Sequence, residues 1–265
     1  QTEAAARGFR TVVDFAPGPS QPDATADWIV RHAASGVRAV VLIATRVTAE
    51  LVTAAAENDI ALVAIDPKSD SDATVATIGS ANWAGMANIT THLIELGHRR
   101  IAFAGMDPTA DYTVERFSGY RSSLERAGLS APEEYVVFSD AAAGERFEDG
   151  QRMAVQLAQL PVPPTAIVSM CDDIAFGVIE GARSVGLLTP DDLSVAGFDD
   201  IPAARRSSPP LTTAHQPLAD MGSFAVRTVE DIMEHGQPTT SHLQLATSLV
   251  VRSSTAAPRT SEVGS

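Results

Sequence analysis

The sequence predicts an α/β protein of two lobes, each a doubly wound parallel sheet, with a ligand cleft between them. Segments typical of strands alternate with segments typical of amphipathic helices along nearly the whole chain. Several strand segments, such as Arg38–Ala44, are unbroken apolar runs, as expected when both faces of a sheet are covered. The 265 residues carry more strand–helix units than one sheet holds comfortably. Two lobes with a ligand between them are therefore expected.

The first half of the chain opens on a helical segment, Gln1–Arg7, which Gly8 is placed to end. Phe9–Phe15 is strand-like, and Trp28 and Ile29 recur at helical spacing with Ala33. The remaining helices predicted here are Asp23–Ser35, Thr48–Asn58 and Asn82–Leu96, and the remaining strands are Arg38–Ala44, Ile60–Ile65 and Val75–Ile78.

The second half continues the same alternation, and glycines mark the ends of several helices. The predicted strands are Ile101–Ala104, Val136–Phe138, Ala166–Val168 and Leu193–Phe198. The predicted helices are Val114–Ala127, Phe147–Leu160, Asp173–Val185 and Ala219–Glu234, with short strands up to Arg252. Repeated units of this kind imply parallel sheets with right-handed crossovers.

Composition excludes several classes of protein. The chain is 45% hydrophobic, yet it has no apolar run long enough to span a membrane. Its net charge of −14 repels phosphate, so the chain alone is not expected to bind DNA or an anionic membrane. The single cysteine, Cys171, excludes an internal disulfide and fits a reducing cytoplasm. No phosphate-cradling glycine loop, nucleophile elbow or metal-ligand spacing is present, so neither catalysis, a cofactor nor a metal is predicted.

The most informative segment runs from Thr189 to Gln216. An apolar strand there ends in two adjacent carboxylates, Asp199 and Asp200, and Ser-Pro-Pro-Leu-Thr-Thr follows. In open α/β sheets, ligands lie in the crevice beyond the carboxyl ends of the strands. Because a carboxylate accepts several hydrogen bonds, this position suits a polyhydroxylated ligand.

Together with two further segments, this stretch resembles the lactose-repressor/galactose-repressor (LacI/GalR) family of transcription regulators. The further segments are His92-Leu-Ile-Glu-Leu-Gly-His-Arg-Arg-Ile-Ala-Phe-Ala-Gly105 and Glu115-Arg-Phe-Ser-Gly-Tyr-Arg-Ser-Ser-Leu-Glu-Arg-Ala-Gly-Leu129. The resemblance covers the family's effector-binding core, whose fold is that of type I periplasmic binding proteins. It does not cover the DNA-binding headpiece or the first strand of the core.

The resemblance implies three crossings between the lobes, near Gly79, Thr213 and Thr240. We therefore expect an N-terminal lobe of residues 1–79 plus 214–240 and a C-terminal lobe of residues 80–213 plus 241–257. Residues 258–265, which are small and polar, are expected to form a frayed tail.

Asp199 is the first candidate for effector binding, since the corresponding aspartate of the family holds ligand hydroxyls. The alternative is a turn carboxylate, and Asp200 is expected to be structural. Arg116 is the second candidate. Its predicted place in the first turn of a helix is unfavourable for the helix dipole, and binding ligand oxygens would explain it. A surface ion pair is the alternative.

Cys171 and Asp172 are candidates at the start of the next helix. Family members commonly carry Asn-Asp there, so Cys171 predicts a less polar corner, because a thiol is a weak hydrogen-bonding group. Asp172 either contacts the effector or caps the helix.

The remaining candidates are less specific. Asp66 ends a strand as Asp199 does, and Ser80 lies near a crossing between the lobes. Trp83 could stack on a sugar or pack in the core. The resemblance implies an aromatic wall at Phe147, in a segment that Ala141-Ala-Ala-Gly-Glu-Arg makes longer than is usual in the family.

These observations together predict the effector-binding core of a cytoplasmic, dimeric transcription repressor that binds a sugar or short oligosaccharide. The dimer is expected to form through the N-terminal lobe, and operator DNA is expected to bind through a headpiece. The alternatives are a sugar-binding receptor of a transport system, which shares this architecture, and an enzyme.

Overall fold

In the computed structural model the described residues are 1–15, 22–68, 75–139 and 145–259. They form two compact units. The first unit is Gln1–Ser80 with Pro217–Leu245, and the second is Ala81–Gln216 with Ala246–Ser265. Both units are α/β structures built on parallel strands, which confirms the predicted fold class.

The first unit is built on a four-stranded parallel sheet. In chain order its elements are α1 (Thr2–Ala6), α2 (Pro22–Ala34), β1 (Ala39–Ile43), α3 (Ala49–Glu57), β2 (Ala61–Ile65), β3 (Ala76–Ser80), α8 (Leu218–His235) and β9 (His242–Leu245). The strand order is β1-β2-β3-β9. Helices α2 and α3 cover one face with residues such as Ile29 and Leu51, and α8 covers the other with Met221 and Val229.

The prediction of a strand at Phe9–Phe15 is wrong. These residues belong to no helix or strand, and Val12, Val13 and Phe15 are largely exposed. Their residue types favour a strand, but a strand also needs a neighbouring edge that supplies ladder hydrogen bonds. None of the described strands pairs with this segment.

The second unit is built on a six-stranded sheet. Its elements are α4 (Asn82–Glu95), β4 (Ile101–Gly105), α5 (Asp111–Arg126), a 3₁₀ turn (Glu133–Tyr135), β5 (Val136–Phe138), α6 (Arg146–Ala158), β6 (Ala166–Ser169), α7 (Asp172–Ser184), β7 (Ser194–Asp199), β8 (Thr212–His215) and β10 (Ser248–Val250). The strand order is β10-β8-β7-β6-β4-β5, and only β10 runs antiparallel to its neighbour among these strands.

Two apolar clusters fill the two faces of this sheet. One cluster joins α6 and α7 to the sheet through residues such as Leu157 and Val178. The other joins α4 and α5 through residues such as Leu93 and Tyr120. Because both faces are covered, every residue of β4 and β6 is buried.

Two elements of the second unit differ from the predictions. Helix α5 begins at Asp111, three residues before the predicted start at Val114. Strand β8 was not predicted, because Thr212–His215 is short and mostly polar. At the end of the described chain, Arg259 forms an ion pair with Asp192. Residues 260–265 of the predicted tail lie outside the described residues.

Candidate functional site

The candidate site lies at the carboxyl edge of the six-stranded sheet. Strand β7 ends at Asp199, Met170 and Cys171 follow β6, and Gln216 follows β8. These three strands are parallel neighbours, so their carboxyl ends meet at one edge. Asp199 and Asp200 have φ angles of 117° and 57°. Backbone of this kind is unfavourable for residues with a side chain and is concentrated at functional sites.

Arg116 is buried at this edge and held from several sides. Its Nε donates to Oδ1 of Asn82 at 2.8 Å, and its Nη1 donates to the carbonyl of Met170 at 2.6 Å. Its guanidinium lies 3.7 Å from the centre of the Phe198 ring. These contacts fix the plane of the guanidinium, as recognition of ligand oxygens requires.

One part of the argument for Arg116 is corrected by the structure. Because α5 begins at Asp111, Arg116 lies in the second turn and not the first. The helix dipole therefore gives no reason for an arginine at this position. The position of Arg116 is explained by its contacts with the sheet edge.

Asp199 lies between Arg116 and Gln216. Its Oδ1 is 3.6 Å from Nη1 of Arg116 and accepts a 2.7 Å hydrogen bond from Nε2 of Gln216. We refer to Arg116, Asp199 and Gln216 as the diol corner. An ionised carboxylate only accepts hydrogen bonds, so the amide NH₂ of Gln216 must face Asp199 and its Oε1 must face away. That Oε1 is buried and has no hydrogen-bond partner in the described chain.

Burial raises the pKa of Asp199 to about 6, against the opposing effects of Arg116, Arg146 and the Gln216 hydrogen bond. The carboxylate is therefore mainly ionised at pH 7 and gains a proton in mildly acidic solution. In its ionised form it can accept hydrogen bonds from two hydroxyl groups.

Asp172 is fully buried and uses both carboxylate oxygens within the protein. Oδ1 accepts from the hydroxyl of Thr213 at 2.6 Å, and Oδ2 accepts from the backbone N–H of Ile201 at 2.8 Å. Burial raises the pKa of Asp172 to about 7. Asp172 is also not the cap of α7, because Cys171 occupies that position. Asp172 thus ties α7 to β8 and to the turn that follows Asp199.

Cys171 is buried at the same edge, and burial raises the pKa of its thiol to about 12. The thiol stays neutral at physiological pH, so it is a poor nucleophile and a weak hydrogen-bonding group.

Asp200 has its partners outside the diol corner. Its carboxylate accepts from Nη2 of Arg252 at 2.6 Å and lies 3.1 Å from Nδ1 of His215. These partners belong to β8 and to the segment after β10, so Asp200 holds the edge of the sheet together. Two neighbouring carboxylates therefore have different surroundings.

Four further candidates belong to other elements. Asp66 and Ser80 belong to the first unit, where Oδ1 of Asp66 accepts from the backbone N–H of Ser80 at 3.3 Å. The ring of Trp83 lies 5.5 Å from the guanidinium of Arg126. Phe147 is 40% exposed on α6. Within the described chain, no hydrogen bond, ion pair or ring contact joins Trp83 or Phe147 to Asp199.

Several residues of this edge were not predicted as effector-binding residues. Gln216 follows β8, a strand that the sequence did not predict, so its place beside Asp199 was not expected. Asn82 was interpreted as a possible helix cap. No motif in the sequence singled out Tyr112 or Arg146. The segment before Arg146 is also longer than is usual in the family.

Comparison with known proteins agrees with this architecture. Residues 90–255 match the model of the periplasmic binding protein-like domain. The HTH-type transcriptional repressor CytR of Escherichia coli K12 is 33% identical over 184 residues, which are 68% of this chain and 52% of that protein. The ribose operon repressor of the same strain is 37% identical over 169 residues, 62% of this chain and 49% of that protein. This chain thus spans about half the length of these relatives.

A solved structure shows the same fold. It is the structure of a regulatory protein of the LacI family from Chloroflexus aggregans, with a TM-score of 0.81 and 28% identity over 96% of this chain and 89% of that one. Two parallel-sheet units with a charged, hydrogen-bonded carboxyl edge define an effector-binding core. The chain belongs to the periplasmic binding protein-like domain family, and its core is of the LacI/GalR type.

In the described part of the chain, no helix is long and apolar enough to cross a membrane.

Proposed function

We propose that this chain is the effector-binding core of a DNA-binding transcription repressor and that its effector is a sugar. The observation that carries the proposal is the diol corner. Its oxygens accept hydrogen bonds and its guanidinium donates them, within one buried edge. Each hydroxyl of a sugar both donates and accepts, so neighbouring hydroxyls match this arrangement.

The relatives support the sugar, since one of them is named a ribose operon repressor. Arg116, Asp199 and Gln216 are the proposed principal contacts. Further proposed contacts are Asp66 and Ser80 of the first unit and Trp83, Phe147, Cys171 and Asp172 of the second. Asp172 acts mainly by positioning, because both of its oxygens already have partners.

The relatives also support the repressor part of the proposal. Because the net charge is −14, DNA contacts would come from a separate headpiece. We expect a homodimer formed through α2, α3 and α8 of the first unit, acting in the cytoplasm. Binding of the effector would select one arrangement of the core over another, with a coupling to DNA binding of about 1–3 kcal/mol.

The alternatives have less support. A transport receptor shares the fold, but the relatives described above are named repressors. Enzymatic activity is not expected, because the relatives are regulators and the thiol of Cys171 is unreactive.

The effector can be sought by thermal shift and then calorimetry with pentoses, hexoses, disaccharides and sugar acids. We expect one class to raise the melting temperature saturably and to be recovered unchanged. If no sugar of any class binds, the proposed function is wrong. Conversion of the bound sugar into a product would favour an enzyme. Sequencing upstream of the codon for Gln1 tests the repressor part, for which a helix–turn–helix is expected.

A further inference from the structure

Arg146 is the first residue of α6, which follows β5 and so begins at the carboxyl edge of the six-stranded sheet. Its side chain is exposed and makes no hydrogen bond or ion pair with the described residues. An arginine at the start of a helix meets the positive end of the helix dipole. Neither a hydrogen-bonded partner nor the helix dipole therefore explains why an arginine stands at position 146.

Close packing of two helices brings Arg146 near the diol corner. A Cβ added to Gly177 of α7 would lie 1.9 Å from the carbonyl oxygen of Phe147, and one added to Gly150 would lie 2.2 Å from the carbonyl oxygen of Ile174. The start of α6 therefore touches α7 about two turns from Cys171, or about 9 Å along the axis. A long side chain can span much of this distance.

The positive charge of Arg146 acts on three groups at this edge of the sheet. It acts to lower the pKa of Asp199, of Cys171 and of Tyr112, although burial is the largest influence on each of these groups and raises all three. Arg146 thus adds a second positive charge to the edge where Arg116 lies. The two arginines differ in one respect. Arg116 is held by hydrogen bonds, an ion pair and ring contacts, whereas Arg146 makes no hydrogen bond or ion pair with the described residues.

Tyr112 offers a second donor on the same side. It is the second residue of α5, its ring lies 5.9 Å from the guanidinium of Arg116, and its hydroxyl makes no hydrogen bond with the described residues. Burial raises the pKa of Tyr112, so its hydroxyl remains protonated. Arg146 offers only hydrogen-bond donors, and the protonated hydroxyl of Tyr112 can add one more.

We propose that the effector is a sugar acid, whose hydroxyls bind the diol corner and whose carboxylate binds Arg146 and Tyr112. This inference rests on the proposed function and narrows its ligand class. A guanidinium and a phenol hydroxyl can satisfy the two oxygens of a carboxylate. A phosphate is disfavoured, because its second negative charge would lie near Asp199 and Asp173, and Arg146 already balances the first.

The test uses pairs of ligands that differ only in the acidic group. The pairs are D-glucuronate with D-glucose, D-galacturonate with D-galactose, and D-gluconate with D-glucitol, each titrated calorimetrically into the 265-residue chain. We expect the acid of at least one pair to bind about 10- to 100-fold tighter than its neutral partner, as for a charge-assisted hydrogen bond. Arg146→Ala should remove that preference, and Arg146→Lys should restore part of it. Arg183→Ala removes the same charge from the exposed face of α7 and serves as the matched control.

The inference is overturned if the neutral member of every pair that binds does so as tightly as its acid. It is also overturned if Arg146→Ala weakens both members of a pair equally. In these cases the proposed function stands provided that Asp199→Ala weakens binding of the neutral sugar by about 30- to 1,000-fold. If neither acids nor neutral sugars bind, the proposed function and this inference are both wrong.

Discussion

The two units bury the centres of their sheets alike and differ at an edge. Helices cover both faces of each sheet, and every residue of β2 in the first unit and of β4 and β6 in the second is buried. In the first unit β1 lies at an edge of the sheet, and Val41 and Ile43 are 37% and 67% exposed. Phe15 of the same unit is 92% exposed.

In the second unit, hydrogen bonds between buried groups join distant segments. Ser254, for example, accepts from the N–H of Thr212 and donates to the carbonyl of Val195. Both units expose apolar side chains, and in the first unit these include Val41 and Ile43 of an edge strand and Phe224 of α8. Exposed apolar surface is typical of a site of association. We infer that the second unit is a self-sufficient support for the diol corner, and that the first unit supplies the surface for association.

The largest expected effect comes from removing a ring in the core of the second unit. Phe103 is fully buried and its ring contacts those of Phe117, Tyr120 and Phe138. Phe103→Ala should lower the free energy of unfolding by about 3–5 kcal/mol, through lost burial and a residual cavity. Urea unfolding followed by circular dichroism measures this change.

Phe15→Ala is the matched control from the first unit. Because the Phe15 ring is almost fully exposed, its removal should change stability by less than about 0.5 kcal/mol. Equal losses for the two variants would contradict the difference drawn between the units.

The next effect concerns affinity. Asp199→Ala should weaken binding of the effector by about 2–4 kcal/mol, or about 30- to 1,000-fold, because the ligand hydroxyls lose a charged acceptor in a buried edge. Arg116→Lys should weaken it as well, since an ammonium cannot reproduce the planar fork that Asn82 and Met170 hold in place. Calorimetry on correctly folded variants measures both effects.

Asp200→Ala is the control for these variants. Asp200 binds Arg252 and His215, so its loss should lower stability and leave affinity nearly unchanged. If Asp199→Ala binds like the parent, Asp199 is only a turn carboxylate and the diol corner is wrongly assigned.

A third prediction sharpens the role of the first unit. We expect a dimer at micromolar concentration in a sedimentation experiment, with Phe224 of α8 in its interface, since this ring is 36% exposed. Phe224→Glu should weaken the dimer by about 2 kcal/mol, or about 30-fold, as for a buried aromatic contact. Val162→Glu alters an exposed apolar residue of the second unit and should have no effect. A parent that sediments only as a monomer would contradict the prediction.

The sequence predicted the regular elements well where their patterns are local. Apolar runs predicted β4, β6 and β7, and glycines marked helix ends, as Gly236 with a φ of 78° does after α8. Phe9–Phe15 failed because a strand depends on a partner that residue types do not reveal. Strand β8 was missed because its neighbours, and not its composition, make it a strand.

The site was predictable only where its residues belong to local sequence motifs. Asp199 and Arg116 occur within recognisable motifs, and the structure places their side chains 3.6 Å apart. Gln216 and Arg146 reach this edge only through sheet order and helix packing. The spacing of residues along the chain does not indicate that the charge of Arg146 acts on Asp199. The contribution of Arg146 to the charge of the site is therefore seen only in the structure.

The smallest predicted effect is a pH dependence confined to the second unit. His98 is 1% exposed, and its ring contacts the hydroxyls of Thr165 and Ser194 and the carbonyl of Ala256. Burial lowers the pKa of His98 below its ordinary 6.5. The folded unit therefore binds fewer protons than the unfolded chain, so the contribution of His98 to stability is present above pH 6.5 and is lost as pH falls through the lowered pKa.

Asp199 and Asp172 titrate in the same window with the opposite sign, because their pKa values are raised to about 6 and about 7. Their contributions to stability grow as the pH falls, so the pH profile of the parent alone is not decisive. The informative quantity is the difference between the parent and His98→Gln, which keeps hydrogen-bonding groups but does not titrate. Urea unfolding between pH 8 and pH 5 should show the parent losing stability relative to His98→Gln as the pH falls. Parallel profiles for the two proteins would mean that His98 accepts a proton in place, and that the contacts holding Ala256 do not depend on a neutral ring.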